Sequence, residues 1–342
     1  MSAQATEPGF AADGIPATSK VYEAPGYWEQ FWRRFRRDKL AVASVVFIIV
    51  MFLLAFVGAP VAQRLVGHGP NDIFRAGVDP VTTLPVGPMS WISTEPYPGA
   101  VGDFPDTLYI LGGDQIGRDL MLRLLYGAQT SLEVAMLATT FALAVGILMG
   151  LLAGYFRGAI DVVISRLTEI VMVFPGLLFI IAVRATLGNT LNNITFGFLA
   201  PGVVTLVIVF SLLGWFYPCR LVRGSVLSLR EKEFIEAARM TGAGNWRIMR
   251  SHLMPHLAAP VIVLFSISVA GYIIGEAGLS FLGLGIEPPT SSWGVLLSEA
   301  PAYYLTQPWY MVWPGLAILL ATLAFNLVGD GLRDAFDPRG VR

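Results

Sequence analysis

Along this chain the polar stretches are short and the apolar ones long. Runs at roughly 40–58, 131–154, 166–187, 197–218, 258–282 and 311–328 each approach the roughly 20 apolar residues that a helix needs to cross a bilayer. Glu169 and Arg184 interrupt the third run, and Glu133 lies near the start of the second. Between the fourth and fifth runs stands "EFIEAARMTGAGNWRIMRSHLMPH", residues 233–256, the most polar helix-prone stretch of the chain. Phe234–Met240 is strong helix-forming sequence, and Thr241–Gly244 reads as a turn. Gly242 suits the left-handed residue that ends a helix. Asn245 is expected to cap the next helix, "WRIMRSHLM", and Pro255 to terminate or kink it. The pattern predicts a helical hairpin feeding the fifth run.

Composition fixes the solvent. Hydrophobic residues make up 55% of the 342 and charged residues 14%, with a mean hydropathy of +0.64. A soluble chain carries about 25% charged residues, so the bilayer is the expected medium. A net charge of −1 gives no reason to expect nucleic acid. The single cysteine, Cys219, excludes a disulfide framework and any multi-cysteine metal site. The first ~30 residues, polar and rich in Ala, Gly and Pro, are expected to form a loose tail. The cluster "RRFRRDK", Arg33 to Lys39, precedes the first apolar run with no small-residue cleavage site after it, as in an uncleaved anchor. With the N-terminus placed inside, 18 of the 23 basic residues fall on cytoplasmic segments, and the outer loops 188–196 and 283–310 have none. Six spans with both ends in the cytoplasm follow.

Several residues invite closer reading. Gly146, Gly150 and Gly154 form a stripe on one face of the second span, which lets another helix backbone come close. Pro175 should kink the third span. The long outer segment 59–130 is turn-rich, and from Asp119 onward Leu120, Leu124 and Leu125 alternate with Arg118 and Arg123 as in an interfacial amphipathic helix. Glu169 and Glu276 lie within or beside spans, where charge is costly, and are candidates either for the aqueous pathway or for ion pairs that fix assembly. Segment 286–309 reads as a short helix capped near Ser292, toward the outer mouth. His252 and His256 are four apart, but no Cys or carboxylate completes a metal site. None of the three lysines follows a glycine, so a P-loop is absent, and no catalytic constellation stands out.

The hairpin resembles the cytoplasmic EAA loop of the integral membrane permeases of ABC importers. Glu236, Ala237, Ala238, Gly242 and Pro255 match the pattern of EAA, three residues, Gly, nine residues, I-x-L-P; His252 and Met254 stand at the Ile and Leu positions. "LGGDQIGRDLMLRLLYGAQTSL" (111–132), "GLLAGYFRGAIDVVISRLTEIVMVFPGLLF" (150–179), "GLSFLGLGIEPPTSSWG" (278–294) and "FNLVGDGLRDAFDPR" (325–339) resemble the second, C-type permease of dipeptide and oligopeptide systems. Gly113-Asp114 lacks the Thr usual in that branch.

The resemblance implies an all-α polytopic protein of the ABC type I importer permease fold. Its divisions would be a tail at 1–32, a basic cluster and anchor at 33–58, and an extracytoplasmic loop with interfacial helix at 59–130. A five-helix core would fill 131–330, with the coupling loop at 220–256 and a tail at 331–342. Partners implied are a second homologous permease, two ATPases holding ATP and Mg, an extracytoplasmic binding protein and membrane lipid, in a bacterial or archaeal cytoplasmic membrane. No cofactor would sit on this chain. Glu233, Glu236, Ala237, Ala238, Arg239, Gly242 and Pro255 would couple to the ATPase, the two alanines leaving a smooth face for a groove. Glu169, Phe174, Pro175, Glu276 and Asn326 would belong to the pathway or gate. Import of peptides is the leading reading, with a nickel chelate, opine or sugar-like solute as alternative cargo. A stand-alone secondary carrier is a further alternative, against which stand the hairpin and the lack of an internal repeat.

Overall fold

A computed structural model of the chain describes residues 27–95, 105–173, 175–193 and 202–336. Residues 1–26 of the expected tail lie outside them, while its last six residues, 27–32, are helical and so correct the boundary expected at 32. A short amphipathic helix α1 (Tyr27–Phe35) leads into α2 (Lys39–Leu53). The Asp38 carboxylate caps α2 by accepting from the N–H groups of Leu40 (3.0 Å) and Ala41 (3.1 Å). α2 runs on through a wide π-turn, Leu54–Gly58, into α3 (Ala59–Val66), which ends at left-handed Gly67. The first span therefore extends to Val66, beyond the expected 58, because neither Gly58 nor Pro60 breaks it: Pro60 falls in the first turn of α3. The outer segment that follows holds a two-stranded antiparallel sheet, β1 (Ser90–Ser93) with β2 (Asp106–Tyr109), pairing Ser90 with Tyr109.

α4 (Leu120–Phe156) is one 37-residue helix, capped by Asp119. The interfacial helix expected near residue 120 is therefore corrected: its residues are the first turns of the spanning helix, with Leu120, Leu122 and Arg123 fully buried. No breaker separates them from the apolar run. α5 (Gly158–Val173) and α6 (Gly176–Asn193) meet at Pro175 with an 85° bend. α7 (Val203–Gly214) and α8 (Phe216–Leu229) form one span, followed by α9 (Glu233–Met240). α10 (Asn245–Arg247), a π-turn at Ile248–Leu253 and α11 (Met254–Phe281) form another. α12 (Trp293–Glu299) is short, with Ser292 Oγ accepting from the Val295 N–H at 3.1 Å. α13 (Trp309–Phe336) ends the described chain and continues past the tail boundary expected at 331.

Contacts settle the number of crossings. The start of α2 touches the end of α13, where a Cβ on Gly331 would meet that of Ala41. The end of α4 meets α9–α10, since Tyr155 donates to Asn245 Oδ1 at 2.8 Å. Gly202, at the start of α7, lies beside Ile286 after α11, at the opposite end of the molecule. The chain thus enters segment 157–202 on one side and leaves it on the other, so the bent α5–α6 pair makes one crossing. The total is six. Outward-facing Val46, Ile49, Val50 and Leu53 of α2 are apolar and exposed, as lipid-facing residues should be.

The tightest seam joins α4 to α8. Cβ atoms built on Gly146, Gly150 and Gly154 would come 2.7, 2.6 and 3.0 Å from the carbonyl oxygens of Trp215, Cys219 and Arg223. Both series step by four residues, so the two backbones run in contact for two turns. A second core gathers Ala128, Leu132 and Ala135 of α4 with Met51, Ile273, Trp293 and Phe325. Gly150→Val must force the seam apart and should destabilise the protein by about 1–3 kcal/mol, the usual cost of overpacking. Gly271→Ala, with nothing within 4 Å, should leave the melting temperature in detergent unchanged.

Candidate functional site

The hairpin at 233–256 has two unlike faces. Its inner face belongs to the protein's core: Ile235, Ala238, Ile248, Met249 and Leu253 pack with Leu151 and Tyr155 of α4, Val222 and Val226 of α8, and Leu257. Tyr155 is the anchor. It donates to Asn245, its carbonyl accepts from the Arg230 guanidinium, and Arg239 stacks over its ring at 5.7 Å. The outer face carries Glu233, Glu236, Ala237, Arg239 and Gly242, all exposed, with Met240 87% and Trp246 67% exposed. Gly242 has φ 82°, and its N–H and that of Ala243 donate to the carbonyls of Arg239 and Ala238 as α9 ends.

Three local expectations are corrected. Ala238 does not share an exposed smooth face with Ala237: one helical step of 100° turns it inward, and its small size fits the seat beneath Tyr155. Asn245 does not cap; Gly244 holds the extended N-cap position, and the Asn245 side chain is committed to Tyr155. Pro255 neither ends nor breaks the helix. It sits in the first turn of α11, and the π-turn before it absorbs the missing donor. His256 lies against Phe234 at 5.0 Å, and no metal-holding group occurs among the described residues.

The pathway candidates do not converge. Glu169 is exposed on α5 and paired with Arg166 at 2.6 Å. Pro175 marks the α5–α6 bend, Asn326 is exposed on α13, and Phe174 lies outside the described residues. Glu276 is fully buried and accepts from the hydroxyls of Ser131 of α4 and Ser280, each at 2.7 Å. Ser131 Oγ in turn accepts from the Trp293 N–H at 3.2 Å. Glu276 thus holds the first turn of α12 onto α4 and α11.

A second buried polar knot holds the other end of α12. Arg118 binds Asp114 at 2.5 Å, and Arg118 and the fully buried Arg123 both reach Glu299 Oε1 at 3.4 Å. Arg123 lies 3.3 Å from Asp114, and Tyr310 donates to Glu299 at 2.5 Å. Beside it, burial pushes the Asp119 carboxyl above its usual range, opposed by the N–H donors of Leu122 and Met121 and by His68 at 3.8 Å. The sequence reading missed this knot. "GGDQIGRDLMLR" shows the charges, but their partner Glu299 lies some 180 residues on, visible only through folding.

The fold and hairpin define the class as a multi-pass helical membrane protein with a structured hairpin built between two of its spans. Residues 146–341 match the family model described as binding-protein-dependent transport system inner membrane component, and residues 26–76 match the N-terminal transmembrane domain of oligopeptide transport permease C. The glutathione transport system permease protein GsiD of Pectobacterium atrosepticum is 36% identical over 312 residues, 91% of each chain. The dipeptide transport system permease protein DppC of Alkalihalophilus pseudofirmus is 36% identical over 324 residues, 95% of this chain and 94% of that one. Among solved structures, the inward-facing MetNI methionine ABC transporter matches 64% of this chain and 98% of the other chain, with a TM-score of 0.52 and 16% identity, a likeness of fold. This chain belongs to the binding-protein-dependent transport inner membrane component family, the permease subunits of ABC importers, and the resemblance drawn from its EAA-like hairpin is borne out.

Two outcomes check the geometry. Ala238→Asp, which places a charge in the hairpin's core, should lower the melting temperature of the detergent-purified protein, whereas Ala237→Asp should not. Arg123→Ala, leaving Asp114 and Glu299 buried without it, should cost about 3–5 kcal/mol of stability in the same assay.

Proposed function

We propose that this chain is the transmembrane permease subunit of an ATP-driven importer of small peptides. The carrying observation is the two-faced hairpin: an inner face built into the core and an outer face offering Glu233, Glu236, Ala237, Met240, Gly242 and Trp246. An exposed apolar residue flanked by charges on a rigid helix is what a groove on a partner can grip. The partners are two ATPases on the cytoplasmic side, holding ATP and Mg, a second homologous permease and an extracytoplasmic binding protein. The membrane is the cytoplasmic membrane of a bacterium or archaeon. ATP-driven closure of the ATPase pair pulls the hairpin, and α4 and α8 follow.

The chain itself performs no catalysis; without a P-loop it draws energy from its neighbours. Di- and oligopeptides are favoured as cargo because a dipeptide permease and a glutathione permease resemble the chain over more than nine-tenths of its length. In this reading Glu233, Glu236, Arg239 and Gly242 set the register of docking, Ala237 leaves room for it, and Pro255 stands in the first turn of α11, into which the hairpin runs. The outer ends of α11, α12 and α13 face the binding protein.

Reconstituted with its ATPases and loaded binding protein, Ala237→Trp or Met240→Asp should cut stimulated ATP hydrolysis by at least about tenfold, the ~1.4 kcal/mol scale of a lost interface contact. The melting temperature should not change. Full stimulation in both variants contradicts the coupling role.

A further inference from the structure

The basic cluster before the first span has a structural role that orientation alone leaves unused. Five basic and two acidic residues lie between Glu29 and Lys39. Of the two acids, Glu29 is taken by Arg33 at 2.7 Å, and Asp38 is committed to capping α2. Arg36, Arg37 and Lys39 are exposed and make no ion pair among the described residues. Arg36 stacks at 4.9 Å over Trp32, itself half exposed. The opposite face of α1 is fixed. Phe31 stacks on Phe336 of α13 at 4.3 Å, and Phe35 is buried with Ala41 and Ala335.

The helix thus lies against the end of the last span, with cations and an indole turned outward at the first residue of a lipid-facing helix. An amphipathic helix with an aromatic at headgroup depth and unpaired cations beside it is complementary to the surface of an anionic leaflet. A soluble acidic partner would meet the same charges, but it gives no reason for the exposed Trp32 or for the position beside exposed Leu40.

We propose that Trp32, Arg36, Arg37 and Lys39 form a binding site for an anionic phospholipid headgroup of the cytoplasmic leaflet, through which α1 clamps the end of α13. The inference depends on the orientation given by the charge rule and not on the importer reading.

The full-length chain, reconstituted with its partners in phosphatidylcholine vesicles, is tested with a minor fraction of brominated phosphatidylglycerol, then of brominated phosphatidylcholine. Quenching at Trp32 is read as the difference between the native chain and its Trp32→Phe variant. Each basic residue near an anionic surface is worth roughly fivefold in affinity, so phosphatidylglycerol should quench Trp32 at least about fivefold more per mole than phosphatidylcholine. The excess should vanish in R36Q/R37Q/K39Q, persist in R36K/R37K, weaken in high salt and survive millimolar inorganic phosphate. Equal quenching by the two lipids in the native chain overturns the site, as does an excess that survives the triple substitution. Loss of the excess to phosphate alone marks a free-anion site and overturns the lipid assignment.

Discussion

The seam between α4 and α8 is the constraint from which the inner half of this molecule hangs. Three glycines at four-residue spacing meet three carbonyl groups at the same spacing, and Pro218, Val222 and Val226 of α8 press against the same stripe, so any side chain added there would collide. In lipid, where no hydrophobic drive pushes helices together, such close packing is the main source of association. The seam leads directly to Tyr155 and Val226, and these seat the hairpin. Ile235, Ile248 and Leu253 complete one apolar core shared by the hairpin and residues of α4, α8 and α11. The hairpin therefore has no seat separate from those helices.

The outer half is organised differently. There α12 is held at both ends by buried polar groups: Ser131 and Glu276 at its first turn, Arg118, Arg123 and Tyr310 around Glu299 at its last. Buried polar networks fix geometry because each broken pair leaves a charge stranded in a low-dielectric surrounding. The outer rim is consequently one block made from the ends of α4, α11, α12 and α13. By contrast α5–α6 bends at Pro175, and its ion pair Arg166–Glu169 lies exposed.

Much of this was legible in the chain because membrane helices announce themselves by length and apolarity, and their orientation by the placement of Arg and Lys. Gly242 could be read because a left-handed residue favours glycine, and the Pro175 bend because proline lacks a donor. The failures share a cause. Ala238, Asn245 and Pro255 obey local rules that Tyr155 and a π-turn override, and neither partner is visible within the window of the hairpin. The start of α4 reads as amphipathic because arginine beside leucine is the pattern of an interface, whereas Asp114 and Glu299 make burial of Arg118 and Arg123 tolerable. Glu276 offered two expectations, pathway or ion pair, and the structure gives it serine hydroxyls and the N-terminal turn of α12.

The central claim is that the hairpin and the inner ends of α4 and α8 move as one body. Pulsed electron–electron spin resonance tests it in the reconstituted assembly, with Cys219 replaced by Ala and spin labels on exposed Arg247 of the hairpin and exposed Phe156 in one sample, and on Arg247 and an ATPase in another. On ATP binding the distance within this chain should change by less than about 2 Å, the scale of small packed-helix shifts, while the distance to the ATPase frame follows its closure. A change of several ångströms between Arg247 and Phe156 would contradict the account.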